Sequence, residues 1–373
     1  MDPSVLIVYT VPVYGQSGLR NVYEDALRLA RQVGSQRTIS VITANIGNVF
    51  YDQGKYTDAR RYYEQALEIN RRVDNKGGMA SDLGNLANVL QGLGDLSACV
   101  SAQEQALQAF RDVGDRRGEA VTLANLGSVL IDRGELIPAK QRYEQAATLL
   151  REIGFQKGQT AVLLGLAAIL EAQDHLTEAR ASTLEALALS QKLKDDSDAA
   201  LSQWQLAHIA FEQGNTSEAE GLARSSAEEF AREKSMANGC SSAALLGRAL
   251  LAQGKLKEAQ TATDSALALC QKGQVKSSRF QAEMVGAAVT FKTGKAARAL
   301  QILDSLQAEI RQGGFGGYEL ESRLFMGEIE INSGRVASGH ARLEALEKDA
   351  QQKSFSLIAR KTQLQLKGGS PEF

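Results

Sequence analysis

Residues Ile42–Leu67 read ITANIGNVFYDQGKYTDARRYYEQAL, two helix-like runs on either side of Gly54, and the rest of the chain repeats them. Stepping forward by 40 residues from Gly54 meets Gly94, Gly134, Asp174, Gly214, Gly254, Gly294 and Gly334. The same step from Gly47 meets Ala87, Gly127, Ala167, Ala207, Gly247, Ala287 and Gly327. From Ala59 it meets Cys99, Ala139, Ala179, Ala219, Ala259, Ala299 and Gly339. A fixed period of this size, held without a slip, predicts a solenoid of helix hairpins.

Within the quoted unit the first run, helix A, is expected over Thr38–Asp52, with Ile42, Ile46, Val49 and Phe50 at the spacing of one buried face. The second, helix B, is expected over Thr57–Val73, with Ala59, Tyr63, Ala66, Leu67 and Ile69 inward. Small residues at Gly47 and Ala59 let the two helices approach to about 8–10 Å. Several B helices end at a glycine suited to a left-handed cap: Gly34, Gly114, Gly154 and Gly314. The pattern starts in mid-repeat near Leu19, because Tyr23–Leu27 matches Tyr63–Leu67. Eight full pairs follow. Phe355–Leu366 then reads as a capping helix, with Phe355, Leu357, Ile358 and Leu364 on the last repeat and Arg360, Lys361, Gln363 and Gln365 toward water.

The expected organisation is an irregular segment at 1–18, a single array at 19–366 and a linker or vector-derived tail at 367–373. The apolar run Val5–Val13 reads equally as a degenerate helix, a strand or a foreign junction, and is a candidate for self-association. Formal charge is −2, so there is no basic footprint for nucleic acid or an anionic membrane. No stretch approaches the ~20 apolar residues of a membrane span, and a signal peptide would need basic residues ahead of Val5. Cys99, Cys240 and Cys270 are an odd number at unrelated spacings, so no structural disulfide is expected and the chain is assigned to the cytoplasm. His175, His208 and His340 fall in three different repeats without metal-ligand spacing, so neither a metal nor a cofactor is expected. The Gly313–Gly317 run lacks the strand and Gly-Lys-Ser/Thr ending of a phosphate loop and reads as a flexible junction.

Small residues at Gly47 and Ala59, an aromatic at Tyr63 and then Ala66 resemble the tetratricopeptide (TPR) pattern, which covers about residues 19–366. The long period and the absence of a closing proline make it similar to the arrays of kinesin light chains and of bacterial regulators of the maltose-activator type. The resemblance implies an all-α, right-handed superhelix whose A helices line a concave groove.

Two rows of A-helix positions face that groove in the family. One holds Asn45, Asn85 and Asn125; the next holds Asn48, Asn88, Ser128, His208 and Arg248. Asparagine is a mediocre helix former, so five inside three successive A helices suggest an amide ladder for a partner's backbone. Trp204 and Phe211 add apolar surface farther along. Some related cochaperone modules hold a C-terminal carboxylate with cations beside such asparagines, but Ala44, Val121 and Asn125 occupy the cationic positions here. The reading is a non-enzymatic interaction scaffold that binds a peptide or helix of a partner protein. The alternative is a sensory domain, responsive to a peptide or small ligand, of a larger bacterial signalling kinase or transcription regulator.

Overall fold

The computed structural model describes residues 16–273 and 275–369. The sequence readings on residues 1–15 and 370–373 fall outside them. Among the described residues there are 18 helices and no strand. Their contacts divide into two compact units, one up to Thr122 and one from Leu123 onward.

The first unit holds α1 (Gln16–Val33), α2 (Gln36–Asp52), α3 (Tyr56–Arg72), α4 (Lys76–Leu93) and α5 (Leu96–Val113), and it ends within α6 (Arg116–Asp132). The second continues from α6 through α7 (Leu136–Glu152), α8 (Gln156–Ala172), α9 (Leu176–Leu193), α10 (Asp196–Glu212) and α11 (Thr216–Glu233). It is completed by α12 (Met236–Ala252), α13 (Leu256–Gly273), α14 (Lys276–Lys292), α15 (Ala296–Gly313), α16 (Gly316–Asn332), α17 (Val336–Gln352) and α18 (Ser356–Leu366). The half repeat is thus α1, the eight hairpins run from α2/α3 to α16/α17, and α18 follows.

The periodic residues have backbone and packing causes. Every member of the Gly54 series has a left-handed φ, from 66° at Asp174 to 88° at Gly334, which turns helix A into helix B in two or three residues. Gly47 receives an aromatic ring: a Cβ there would stand 2.7 Å from the Tyr63 ring, and one at Gly127 would stand 2.6 Å from that of Tyr143. Ala59, Ala139, Ala179 and Ala259 are fully buried on the facing B helices. A-helix starts are capped at the same period, by Ser35 on the Thr38 N–H, Asn75 on Gly78, Asp115 on Gly118 and Asp195 on Asp198.

Three sequence expectations are corrected. Cys240 and Cys270 form a disulfide between α12 and α13, with Cα atoms 5.4 Å apart. Their spacing of 30 is the hairpin's own: Ser40 and Asn70 occupy the equivalent positions and share a 2.8 Å hydrogen bond. The cysteine argument for a reducing compartment falls with it. The Gly313–Gly317 run is not a loose junction, because Gly313 closes α15 and Gly316 opens α16, buried against the chain at Arg133. Finally, α18 is rotated from its expected phase. Leu364 is 39% exposed, whereas Lys361, Thr362 and Gln365 are buried.

Candidate binding faces of the A helices

In the first unit the face is polar and open. Asn45 and Asn85 are half-buried on α2 and α4, Asn48 is exposed and Asn88 half-buried one turn on. Gly84 leaves bare backbone beside Asn85, with nothing within 4 Å of where its Cβ would be. The second row is partly committed to its own hairpins. Tyr63 donates from its hydroxyl to Asn48 Oδ1 at 2.7 Å, and Gln103 Nε2 donates to Asn88 Oδ1 at 3.4 Å. In both cases the donor lies 15 residues after the acceptor, on helix B.

In the second unit Ser128 and the Tyr143 hydroxyl, again 15 residues apart, are hydrogen-bonded, and Asn125 is half-buried. Beyond these, the face is closed by the chain itself. The C-terminal α18 packs on α17 and α16 and also touches α8. Lys361 Nζ reaches across to Glu212 at the end of α10, 2.9 Å from Oε2 and 3.2 Å from Oε1. Arg360 Nε donates to Asp174 Oδ2 at 2.7 Å.

Trp204, His208, Phe211 and Arg248 converge on this site. Arg248 places Nη2 3.4 Å from Glu212 and Nη1 3.5 Å from Glu321, with its guanidinium 4.5 Å above the Phe211 ring and 5.6 Å from that of Phe325. His208 Nδ1 lies 2.9 Å from Glu171 Oε1, and Gln205 donates to the other oxygen of that carboxylate. The charges are deeply buried, with side-chain exposures of 4% for Lys361, 5% for Glu212 and 6% for Arg248.

Electrostatics follow from this packing. Burial alone would raise the Glu212 carboxyl, but Lys361 first, then Arg248 and His208, hold it down at about 2. Burial likewise works against the His208 imidazolium; Glu171 outweighs it, and the net displacement is upward. Between α18 and the A helices remains a cavity of about 210 Å³, lined by Trp204, His208, Arg248, Ala168, Tyr318 and Phe355 among others. Two buried donors in this region, Trp204 Nε1 and Arg248 Nε, find no acceptor among the protein's atoms.

Sequence reasoning missed the acidic half of this cluster and α18's contribution. One signal was available. The row Tyr51, Gln91, Ile131, Glu171, Phe211, Leu251, Phe291, Ile331 carries one charge, and it is Glu171. Among the described residues no group of three His, Cys, Asp or Glu side chains is arranged to hold a metal, and no helix is long and apolar enough to cross a membrane.

Hairpins of this length, with a ring of Tyr63 or Tyr143 seated on a glycine of the facing helix, define a tetratricopeptide-type repeat protein. The chain belongs to the family described as the MalT-like TPR region, whose model matches residues 79–326. A tetratricopeptide repeat model matches residues 20–72 and 36–100. No curated protein matches the chain. Similar solved structures include a Rap protein complexed with competence and sporulation factor, at 14% identity and TM-score 0.57, covering 88% of this chain and 97% of that one. A second is the Rap conjugation gene regulator of plasmid pLS20 in complex with the Phr* peptide, at 15% identity and TM-score 0.61, covering 74% of each chain. A third is the apo quorum sensor NprR from B. thuringiensis, at 15% identity and TM-score 0.56, covering 82% of this chain and 86% of that one. At these identities the likeness is one of fold.

Proposed function

We propose that this chain is a non-enzymatic interaction scaffold whose A-helix faces bind a peptide or helix of a partner protein. The observation that carries the reading is that the second unit's A-helix face already accommodates a helix, the chain's own α18, seated through Lys361 on Glu212 and Arg360 on Asp174. The first unit presents the same repeat positions as the half-exposed amides of Asn45 and Asn85 beside the bare backbone of Gly84. That arrangement suits the main chain of an extended or helical partner, which offers both donors and acceptors. Two of the similar structures contain bound peptide or factor, which supports a partner of this class. Binding rather than catalysis is also what the second unit's charges favour, since its acids and bases are spent on one another.

The test uses the Asn45→Ala/Asn85→Ala/Asn125→Ala variant, because truncating Asn48 or Asn88 would also strip a helix B donor of its acceptor. A partner captured from the source organism by the wild type is identified, produced and titrated against both proteins. The expected result is at least about tenfold weaker binding with an unchanged melt, the size of effect of about 1.4 kcal/mol. Equal affinity removes the asparagine row from the interaction.

A further inference from the structure

We infer that the seat of α18 on the second unit is an exchangeable docking site for a basic amphipathic helix of a partner protein, which takes the place of α18. The inference rests on the reading of the A-helix faces as binding surfaces and names the class of partner for this one. Three features of the seat carry it.

Charge comes first, counted for both signs. The groups that line the space beneath α18 or bond its basic pair are Asp132, Glu171, Asp174, Glu212 and Glu321, against Arg248 and His208. Arg248 serves Glu212 and Glu321, and His208 serves Glu171. The helix supplies the balance, Arg360 to Asp174 and Lys361 to Glu212. A helix without cations there would leave buried carboxylate undercompensated, and an acidic one would add like charge. The seat therefore selects two consecutive basic residues behind an apolar segment, here Phe355, Leu357 and Ile358.

Separability comes second. α18 is a single helix of 11 residues after the last hairpin, joined to α17 through residues 353–355. It can swing out about that turn without unfolding a repeat. A helix this short is marginal by itself, so the seat holds it in place. Of its five buried residues, Lys361, Thr362 and Gln365 are polar and only Leu357 and Ala359 apolar. Helix α3, by contrast, buries Tyr56, Ala59, Tyr63, Ala66 and Leu67 with the single polar Asn70. Polar contact surfaces of the first kind are those of elements that move relative to one another.

Fit comes third. About 210 Å³ stays unfilled between α18 and the A helices, beside Leu357 and Ile358. Side chains facing such a space forgo contacts, so a partner helix with larger apolar groups at those two positions packs better than α18 does.

The probe is a fluorescein-labelled peptide of residues 354–367, SFSLIARKTQLQLK, titrated by anisotropy against the full chain. Tethered α18 competes at an effective concentration of about 1 mM, so the wild type is expected to bind the peptide poorly. In the full-length Arg360→Glu/Lys361→Glu variant the seat is intact and its own helix is repelled. Docking of tethered α18 by at least about ten to one implies a peptide Kd below about 0.1 mM there, at least about tenfold tighter than for the wild type. The peptide carrying the same two glutamates is expected to bind at least about tenfold more weakly than the parent peptide. Adding Asp174→Asn, which keeps a residue tolerant of the left-handed turn, should weaken the parent peptide about fivefold. Should the double variant lose its cooperative melt, Arg360→Ala, which removes the more exposed of the two pairs, takes its place.

No saturable binding to the folded variant, equal binding of the glutamate peptide, or undiminished binding after Asp174→Asn would each overturn the inference. So would a wild-type dimer that the double variant abolishes, which would give the seat to a second copy of the chain. None of these outcomes touches the asparagine row, whose part in binding is read separately from the Asn45→Ala/Asn85→Ala/Asn125→Ala variant.

Discussion

Lys361 separates two accounts of the C-terminal helix. On helical periodicity alone it faces water, and replacing an exposed lysine moves stability by no more than about 0.5 kcal/mol. In the structure it is buried against Glu212 at 2.9 Å. Lys361→Met keeps the length and apolar stem of the side chain and removes the charge. Two arguments size the effect. Breaking a buried ion pair by deleting one partner costs about 3–5 kcal/mol, and the lower end applies because Arg248 remains 3.4 Å from the same carboxylate. Separately, a carboxyl held at about 2 rather than its ordinary 4.5 contributes roughly 3 kcal/mol at neutral pH, at about 1.4 kcal/mol per pH unit. Lys361 is the largest of the groups that hold it there.

The measurement is urea unfolding followed through Trp204 emission, which reports on the same unit. Lys361→Met is expected to lose about 3 kcal/mol at neutral pH. Lys361→Met/Glu212→Gln is expected to recover much of it, with a coupling of about 2 kcal/mol or more. The pH dependence has a definite sign. Because the folded Glu212 carboxyl lies below its unfolded value, its contribution is complete above about 4.5 and is lost as pH falls toward about 2. The gap between wild type and Lys361→Met should therefore narrow across that window. A neutral-pH loss within about 0.5 kcal/mol of zero refutes the buried pair and returns α18 to the outward-facing phase.

Two further perturbations probe the second unit elsewhere. Gly316→Ala puts a Cβ 2.3 Å from the Arg133 carbonyl oxygen, a backbone atom that cannot rotate away; a loss of about 1–3 kcal/mol is expected, with faster amide exchange around residues 131–134, and wild-type exchange there would contradict the contact. The Cys240–Cys270 disulfide predicts one reactive thiol, that of Cys99, in the denatured unreduced chain; reduction should lower stability by about 3–4 kcal/mol for a closed loop of this length, and three reactive thiols would show that the bond does not form.

The hairpins were legible because their cause is local. A glycine that must take a left-handed φ and a small residue beneath a tyrosine ring recur whenever the same turn and the same packing recur, so a period of 40 exposes them. Trp204, His208, Phe211 and Arg248, expected on one face of consecutive A helices, do come together, but beside the chain's own C-terminal helix. The disulfide was hidden by counting cysteine spacing along the chain instead of within the repeat, where positions 40 and 70 of the first hairpin already face each other. Lys361 and Arg360 were misplaced because their partners lie 149 and 186 residues away, and no periodicity of α18 itself encodes them.

One departure from the repeat did carry this information. Asp174 is the single non-glycine in the turn series, and it keeps the left-handed backbone, at φ 66°, which glycine would adopt without steric cost. Asp is among the non-glycine residues that adopt this conformation most readily, and here its side chain is also used. Its carboxylate accepts the 2.7 Å bond from Arg360, one turn-helix contact that holds α18 against the second unit. Glu171, the one charge in its own otherwise uncharged row, stands three residues earlier and anchors His208 beside the cavity. Both exceptions fall in the same repeat. In a repeat array the regular positions specify the scaffold, and the positions that break the pattern mark where that scaffold meets something that does not repeat. Here that partner is the chain's own C-terminal helix: Asp174 holds it through Arg360, and Glu171 lines the cavity beside it.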